Sequence, residues 1–132
     1  METCPVCDAN IVREERSVSY KYKEHARKIL QIGDYCSDCE EAFLSPKDLK
    51  ASQKVISDFK REVDNLLSTD EVKAIRKELK LTQEGASSVF GGGVRAFHKY
   101  ETGENIQSRA LDILLKLLQS KKVSMDDIRM PI

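Results

Sequence analysis

Two short cysteine pairs, Cys4-Pro5-Val6-Cys7 and Cys36-Ser37-Asp38-Cys39, constrain this chain more than any other feature. Two thiolates three residues apart wrap a tight knuckle around one ion. Two knuckles together supply a closed tetrahedral set of four sulfurs, the preferred shell of a structural zinc ion. The 28 residues between Cys7 and Cys36 exceed an ordinary zinc-finger loop and suit a β-hairpin carrying one knuckle at each end. Four thiolates also hold iron, as a cluster or a single ion. A thioredoxin-type redox pair is disfavoured because no βαβ pattern surrounds either motif. The expectation is one structural Zn2+ on Cys4, Cys7, Cys36 and Cys39. A closed shell leaves no open position for catalysis, so the ion would stabilise a module too small to fold by burial alone.

That reading requires reduced thiols. The N-terminal run Met1 to Pro5 lacks the basic start and apolar stretch of a signal peptide, and no window approaches the roughly 18 apolar residues of a membrane helix. A cytoplasmic location without membrane attachment is therefore expected, and there metal ligation outranks disulfide formation.

Strand-like sequence lies between the knuckles. Ser17 to Lys23 alternates polar with apolar or aromatic side chains, Glu24-His25-Ala26 reads as a turn, and Arg27 to Tyr35 reads as a return strand. Ser45-Pro46 then opens a helix, with Ser45 as N-cap, Pro46 at the first helical position and Asp48 completing a capping box. Leu49, Ser52, Ile56, Phe59, Val63 and Leu66 recur at helical spacing, so this helix reads as a strut about 30 Å long.

A second capping box, Ser68 to Glu71, starts a helix over about Asp70–Leu79 with Val72, Ile75 and Leu79 inward. Further helices are expected near 83–90, 94–101 and 109–120, with a short one near 124–129. The predicted organisation is α+β: a zinc-bound β module over 1–45, a linker helix over 46–67, and an all-α domain over 68–132. At 132 residues, a split leaves each half near the size at which a core alone is marginal.

Function enters through residues 82–103. Thr82 caps a helix burying Ala86, Val89 and Phe90; Gly91-Gly92-Gly93 permits a tight turn; Val94 to Glu101 makes a second short helix ended by Gly103. That is the pattern of a helix-turn-helix whose second helix faces the DNA major groove. Arg95 can grip guanine O6 and N7 with two hydrogen bonds, while Lys99 can reach a guanine or a phosphate. His98 shares that face, and Gln83 at the start of the first helix is placed for a phosphate. The glycine triplet is not a P-loop, since no lysine-serine or lysine-threonine pair follows it.

Overall charge does not argue for nucleic acid. Residues 1–66 carry 11 basic and 13 acidic side chains, residues 67–132 carry 11 and 9, and the chain is neutral in sum. His25 and His98 fall in different halves, and no nucleophile–base pair is evident, so an enzyme is not expected. Leu111, Leu114, Leu115, Leu117 and Leu118 give one helix more apolar surface than so small a domain readily buries, which predicts a homodimer. Its recognition helices would sit one DNA turn, about 34 Å, apart on a palindromic operator.

Taken together, the double knuckle, the helical linker and the segments Thr82-Gln83, Phe90-Gly91-Gly92-Gly93-Val94, Ala96-Phe97, Tyr100-Glu101 and Gly103 resemble the MqsA (YgiT-type) antitoxin family over essentially the whole chain. The resemblance implies a zinc-binding N-terminal domain that neutralises a cognate toxin, commonly an mRNA-cleaving ribonuclease. It also implies a C-terminal Cro/C1-type helix-turn-helix domain that dimerises and represses its own operon. Arg95 and Lys99 stand where the family reads bases, but asparagine and arginine are the familiar residues there. Asparagine favours adenine and arginine favours guanine, so Arg95 implies a different operator sequence. The other function that fits these features is a zinc-stabilised helix-turn-helix transcriptional regulator without a toxin partner.

Overall fold

A computed structural model describes residues 2–128. The fold is α+β: β1 (Ile11–Tyr22), β2 (His25–Cys36), β3 (Ala42–Phe43), then α1 (Pro46–Val63), α2 (Thr69–Glu78), α3 (Gln83–Phe90), α4 (Ala96–Thr102), α5 (Arg109–Gln119) and α6 (Met125–Ile128). The chain divides into two compact units, Met1–Ile56 and Ser57–Ile132. The division falls within α1, which begins in the first unit and ends in the second.

In the first unit β1 and β2 form an antiparallel hairpin in continuous register from Ile11↔Cys36 to Tyr22↔His25. The connection is tighter than the three-residue turn expected, with only Lys23 and Glu24 between the strands and Lys23 at φ 55°. β3 pairs with β2 through Asp34↔Phe43 and Tyr35↔Ala42, giving the order β1-β2-β3. Gly33 admits this return: a Cβ there would come within 2.4 Å of Leu44 Cδ2.

The apolar core of this unit is thin. Among the described residues its buried hydrophobics, besides Cys4 and Cys36, are Ile29 and Tyr35. Polar bonding supplements it. The start of α1 is a capping box in which Asp48 N–H donates to Ser45 Oγ at 3.2 Å and Ser45 N–H to Asp48 Oδ2 at 3.1 Å. The same buried carboxylate receives Arg13 Nη2 at 2.5 Å. Asp48 is thereby held at a pKa of about 2, chiefly by the Arg13 hydrogen bond and then by the Ser45 amide. Gln31 ties strand to helix, donating to the Asp48 carbonyl at 2.9 Å and accepting from Ser52 Oγ at 2.6 Å. This bonding explains why Leu49, placed on the inward stripe by its spacing, is 53% exposed: buried Asp48 and Ser52 orient the helix instead.

The second unit has an ordinary core of Leu67, Val72, Ile75, Ala86, Phe97, Leu115 and Leu118. Phe97 is its centre, with Phe90 at 5.7 Å and Tyr100 edge-on at 5.3 Å between ring centroids. Helix starts follow side-chain capping: Ser68 forms a full capping box with Glu71, Thr82 Oγ1 accepts from Gly85 N–H, and Ser108 Oγ accepts from Leu111 N–H. The last short helix is described to Ile128; position 129 of the expected segment lies outside the described residues.

Buried polar groups brace this core. Arg61, fully buried, donates from Nε to Gln107 Oε1 at 3.1 Å and from Nη2 to the carbonyls of Tyr100 and Asn105 at 2.9 and 3.0 Å. Asp112 accepts from Leu67 N–H at 2.7 Å and from Lys116 Nζ at 2.8 Å. Arg76 and Glu101 form a two-pronged pair, 2.8 and 2.9 Å, between α2 and α4.

Candidate metal centre and candidate nucleic-acid interface

The hairpin register brings the two knuckles together. Because Ile11 lies opposite Cys36, the segment before β1 and the segment after β2 meet at one end of the sheet. A Thr3↔Asn10 bridge and the bond from Ser37 N–H to the Asn10 carbonyl, 3.1 Å, extend that meeting point. Each knuckle is closed by its own main chain. Cys4 N–H reaches the Ala9 carbonyl and Asp8 N–H the Cys4 carbonyl, both at 2.8 Å, while Cys36 N–H reaches the Glu41 carbonyl at 2.9 Å.

The ligating atoms of Cys4, Cys7, Cys36 and Cys39 all lie within 4.8 Å of one another. The close pairs join opposite knuckles: Cys4 Sγ to Cys39 Sγ at 3.6 Å and Cys7 Sγ to Cys36 Sγ at 3.4 Å. A tetrahedral ion with metal–sulfur bonds of about 2.3 Å needs sulfurs roughly 3.8 Å apart. The cluster has the size and donor chemistry to take such an ion. Among the described residues it is the one group of metal-ligating side chains of this kind.

Main-chain amides prepare the sulfurs for negative charge. Val6 N–H points to Cys4 Sγ, and the amides of Asp38 and Cys39 both point to Cys36 Sγ, each at 3.4 Å. The Cys39 and Asp38 amides bring the Cys36 pKa down to about 6. Cys39 is pushed up to about 12: the Glu41 amide works against the rise, and desolvation and the hydrogen bonds with Cys36, Cys7 and Cys4 outweigh it.

Spacing alone did not reveal the residue after each knuckle. Asp8 and Glu40 follow Cys7 and Cys39 with φ of 63° and 61°, the left-handed region where glycine is the easier residue. The recurrence of one residue after each pair was the available signal.

In the second unit, residues 91–95 join α3 to α4. Gly91, Gly92 and Gly93 have φ of 85°, 96° and 102°. At Gly92 a Cβ would approach Ala96 Cβ and Tyr100 Oη to 3.1 Å, a tight fit over α4 at a positive φ that itself disfavours a side chain. α4 starts at Ala96, two residues later than the expected 94, because Val94 remains in the turn.

Arg95 is thus the N-cap of α4, yet its side chain makes no capping bond. Ser87 on α3 serves in its place: Ser87 Oγ accepts Phe97 N–H at 3.2 Å and donates to the Gln83 carbonyl at 2.9 Å. The Arg95 guanidinium is left exposed at the open end of α4. Lys99 N–H donates to the Arg95 carbonyl at 3.0 Å, so the two cations stand one turn apart, with half-buried His98 beside Lys99. None of these three side chains has a hydrogen-bond or ionic partner among the described residues. Gln83 is placed differently: it donates to Glu101 Oε1 at 3.3 Å and joins the Arg76–Glu101 pair. Sequence reasoning missed Ser87, whose only signal was a small polar residue on the inward face of a short helix.

No helix among the described residues is long and apolar enough to cross a membrane. Compared with known proteins, residues 1–129 match the family described as "Antitoxin component of bacterial toxin-antitoxin system, MqsA". The chain is also 32% identical over 130 residues to "Antitoxin MqsA" of Escherichia coli (strain K12), an alignment covering 96% of this chain and 98% of the relative. The matched span contains both cysteine pairs and the glycine turn of this chain, which accordingly belongs to the MqsA antitoxin family, the antitoxin component of a bacterial toxin–antitoxin system.

Proposed function

We propose that this antitoxin is a zinc protein and a homodimeric, DNA-binding repressor of its own operon, acting in the cytoplasm. In this reading the first unit neutralises a ribonuclease toxin, and the α3–turn–α4 segment is a helix-turn-helix. The observation that carries the DNA reading is the pairing of Arg95 with Lys99. Two cations one turn apart, unpartnered among the described residues, line α4: Arg95 at its N-cap and Lys99 in its last turn, while Ser87 caps the start of the helix. Arg95 reads guanine in the major groove, and Lys99 binds guanine or phosphate. His98 adds a contact on the same turn. Gln83, engaged with Glu101, contributes to phosphate binding mainly by holding the start of α3 in place.

Zinc suits the four-thiol set better than harder divalent ions, which prefer oxygen ligands. Dimerisation is assigned to α5, where Ile113 is half exposed and Leu117 half buried outside the core. Full-length protein should carry one zinc per chain by elemental analysis and protect a two-fold site upstream of its own gene. Co-expressed with the product of the adjacent small open reading frame, it should form a complex and restore growth. A harmless neighbour that does not bind would remove the toxin assignment; sequence-independent binding alone would remove the repressor assignment.

A further inference from the structure

Among the described residues Val94 is the most exposed of the large hydrophobics, at 75% of its surface, and none of them covers it. Its surroundings make that exposure informative. Ala96 and Phe97, two and three residues on, are buried, and Gly92 lets the turn lie against α4 so that Val94 stands proud of it. Val94 caps nothing and is not in the positive-φ region, so the turn itself places no demand for a branched apolar side chain. A polar residue would serve the turn equally well and be better solvated. What distinguishes the position is its neighbour: Arg95, the exposed N-cap of α4.

We infer that Val94 is a second specificity-determining residue, making an apolar contact with the C5-methyl group of a thymine in the base pair next to the one read by Arg95. This rests on the DNA-binding reading above. The thymine methyl is the one apolar group on the major-groove edge of the four base pairs, so it is the feature there that valine can select. Consecutive Cα atoms are about 3.8 Å apart and stacked base pairs about 3.4 Å, so adjacent residues at the mouth of a recognition helix address adjacent pairs. Valine has one dominant rotamer choice to give up, so it makes the contact at low entropic cost. A guanine flanked by thymine is the step that Arg95 and Val94 read together.

The test uses the full-length protein and a duplex spanning the promoter upstream of its own gene. Each thymine in the protected region is replaced in turn by deoxyuridine, which removes the methyl group and leaves base pairing intact. One uridine per half-site, beside a guanine whose replacement abolishes Arg95-dependent discrimination, should weaken binding about fourfold, the worth of one buried methyl-sized group. Val94→Ala, which removes the contact in both half-sites of the dimer, should lose about sixteenfold on the thymine duplex and nothing further on a duplex carrying the uridine in both half-sites. If no uridine alters affinity while binding remains specific and Arg95-dependent, the Val94 assignment is overturned and the repressor reading stands. If Val94→Ala instead changes the oligomeric state by sedimentation, the side chain packs against another copy and the assignment is equally overturned. Absence of any specific site removes both.

Discussion

Ser87 Oγ accepts the main-chain N–H of Phe97 at 3.2 Å, so one helix supplies the cap of the next. The bond fixes the start of α4 and relieves Arg95 of the role its N-cap position would ordinarily impose. Ser87→Ala leaves the Phe97 amide buried without an acceptor. The expected cost is about 1–2 kcal/mol, read as a lower urea midpoint for the second unit. An unchanged midpoint would mean that another acceptor serves the Phe97 amide.

Arg95→Ala should relax discrimination at one position of each half-site, with a loss of about 1–3 kcal/mol per contact. Lys99→Ala should weaken binding more evenly across sequences and reduce its salt dependence if Lys99 reaches phosphate. Band-shift titrations over a panel of single-base operator variants separate the two patterns.

The buried Arg61 serves three acceptors with one planar fork, the buried Gln107 side chain and the part-buried carbonyls of Tyr100 and Asn105. Arg61→Met removes the donor and strands the carbonyls of Tyr100 and Asn105 and the side chain of Gln107. Thermal unfolding should show a loss of about 2–4 kcal/mol in the second unit. Arg61→Lys should also destabilise, because a single ammonium cannot reproduce the fork. A more stable Met variant would show that desolvating the guanidinium costs more than its bonds return.

The Arg13–Asp48 pair predicts an acid-sensitive contribution to the stability of the first unit. Asp48 titrates at about 2, below its ordinary value, so its contribution is complete above the unfolded pKa of about 4 and is lost as pH falls toward 2. Asp48→Asn should lower stability at neutral pH and flatten this segment of the acid-unfolding curve. Circular dichroism of the hairpin across pH 2 to 5, buffered at constant ionic strength and compared between the two proteins, checks it.

Chelation or Cys36→Ser should abolish metal binding and unfold the first unit, whose apolar core is Ile29, Tyr35 and little else. The second unit, with its own core around Phe97, should keep its helical signal. Cooperative loss of both would show that the two units fold as one.

Much of this was legible in sequence because it depends on local chemistry. The cysteine spacing announced the cluster, Ser45-Pro46 and Ser68-Glu71 announced two helix starts, and alternation announced the hairpin. What stayed hidden depends on partners distant in the chain. Leu49 lies outside because Asp48 bonds to Arg13 and Ser52 to Gln31, polar pairings that hydrophobic periodicity cannot register. α4 starts at Ala96 because Ser87, nine residues earlier, provides its cap. Gln83 bonds to Glu101 because the Arg76 pair draws that carboxylate across from α4.

The Ile11↔Cys36 pairing carries one more consequence. A hairpin slipped by a single residue would turn Cys36 to the opposite face and displace it about 3.3 Å along the strand. Cys36 Sγ would then leave the group of sulfurs that now fits within 4.8 Å. An ion bound as proposed would therefore select the strand pairing: only the correctly registered hairpin presents all four sulfurs to it.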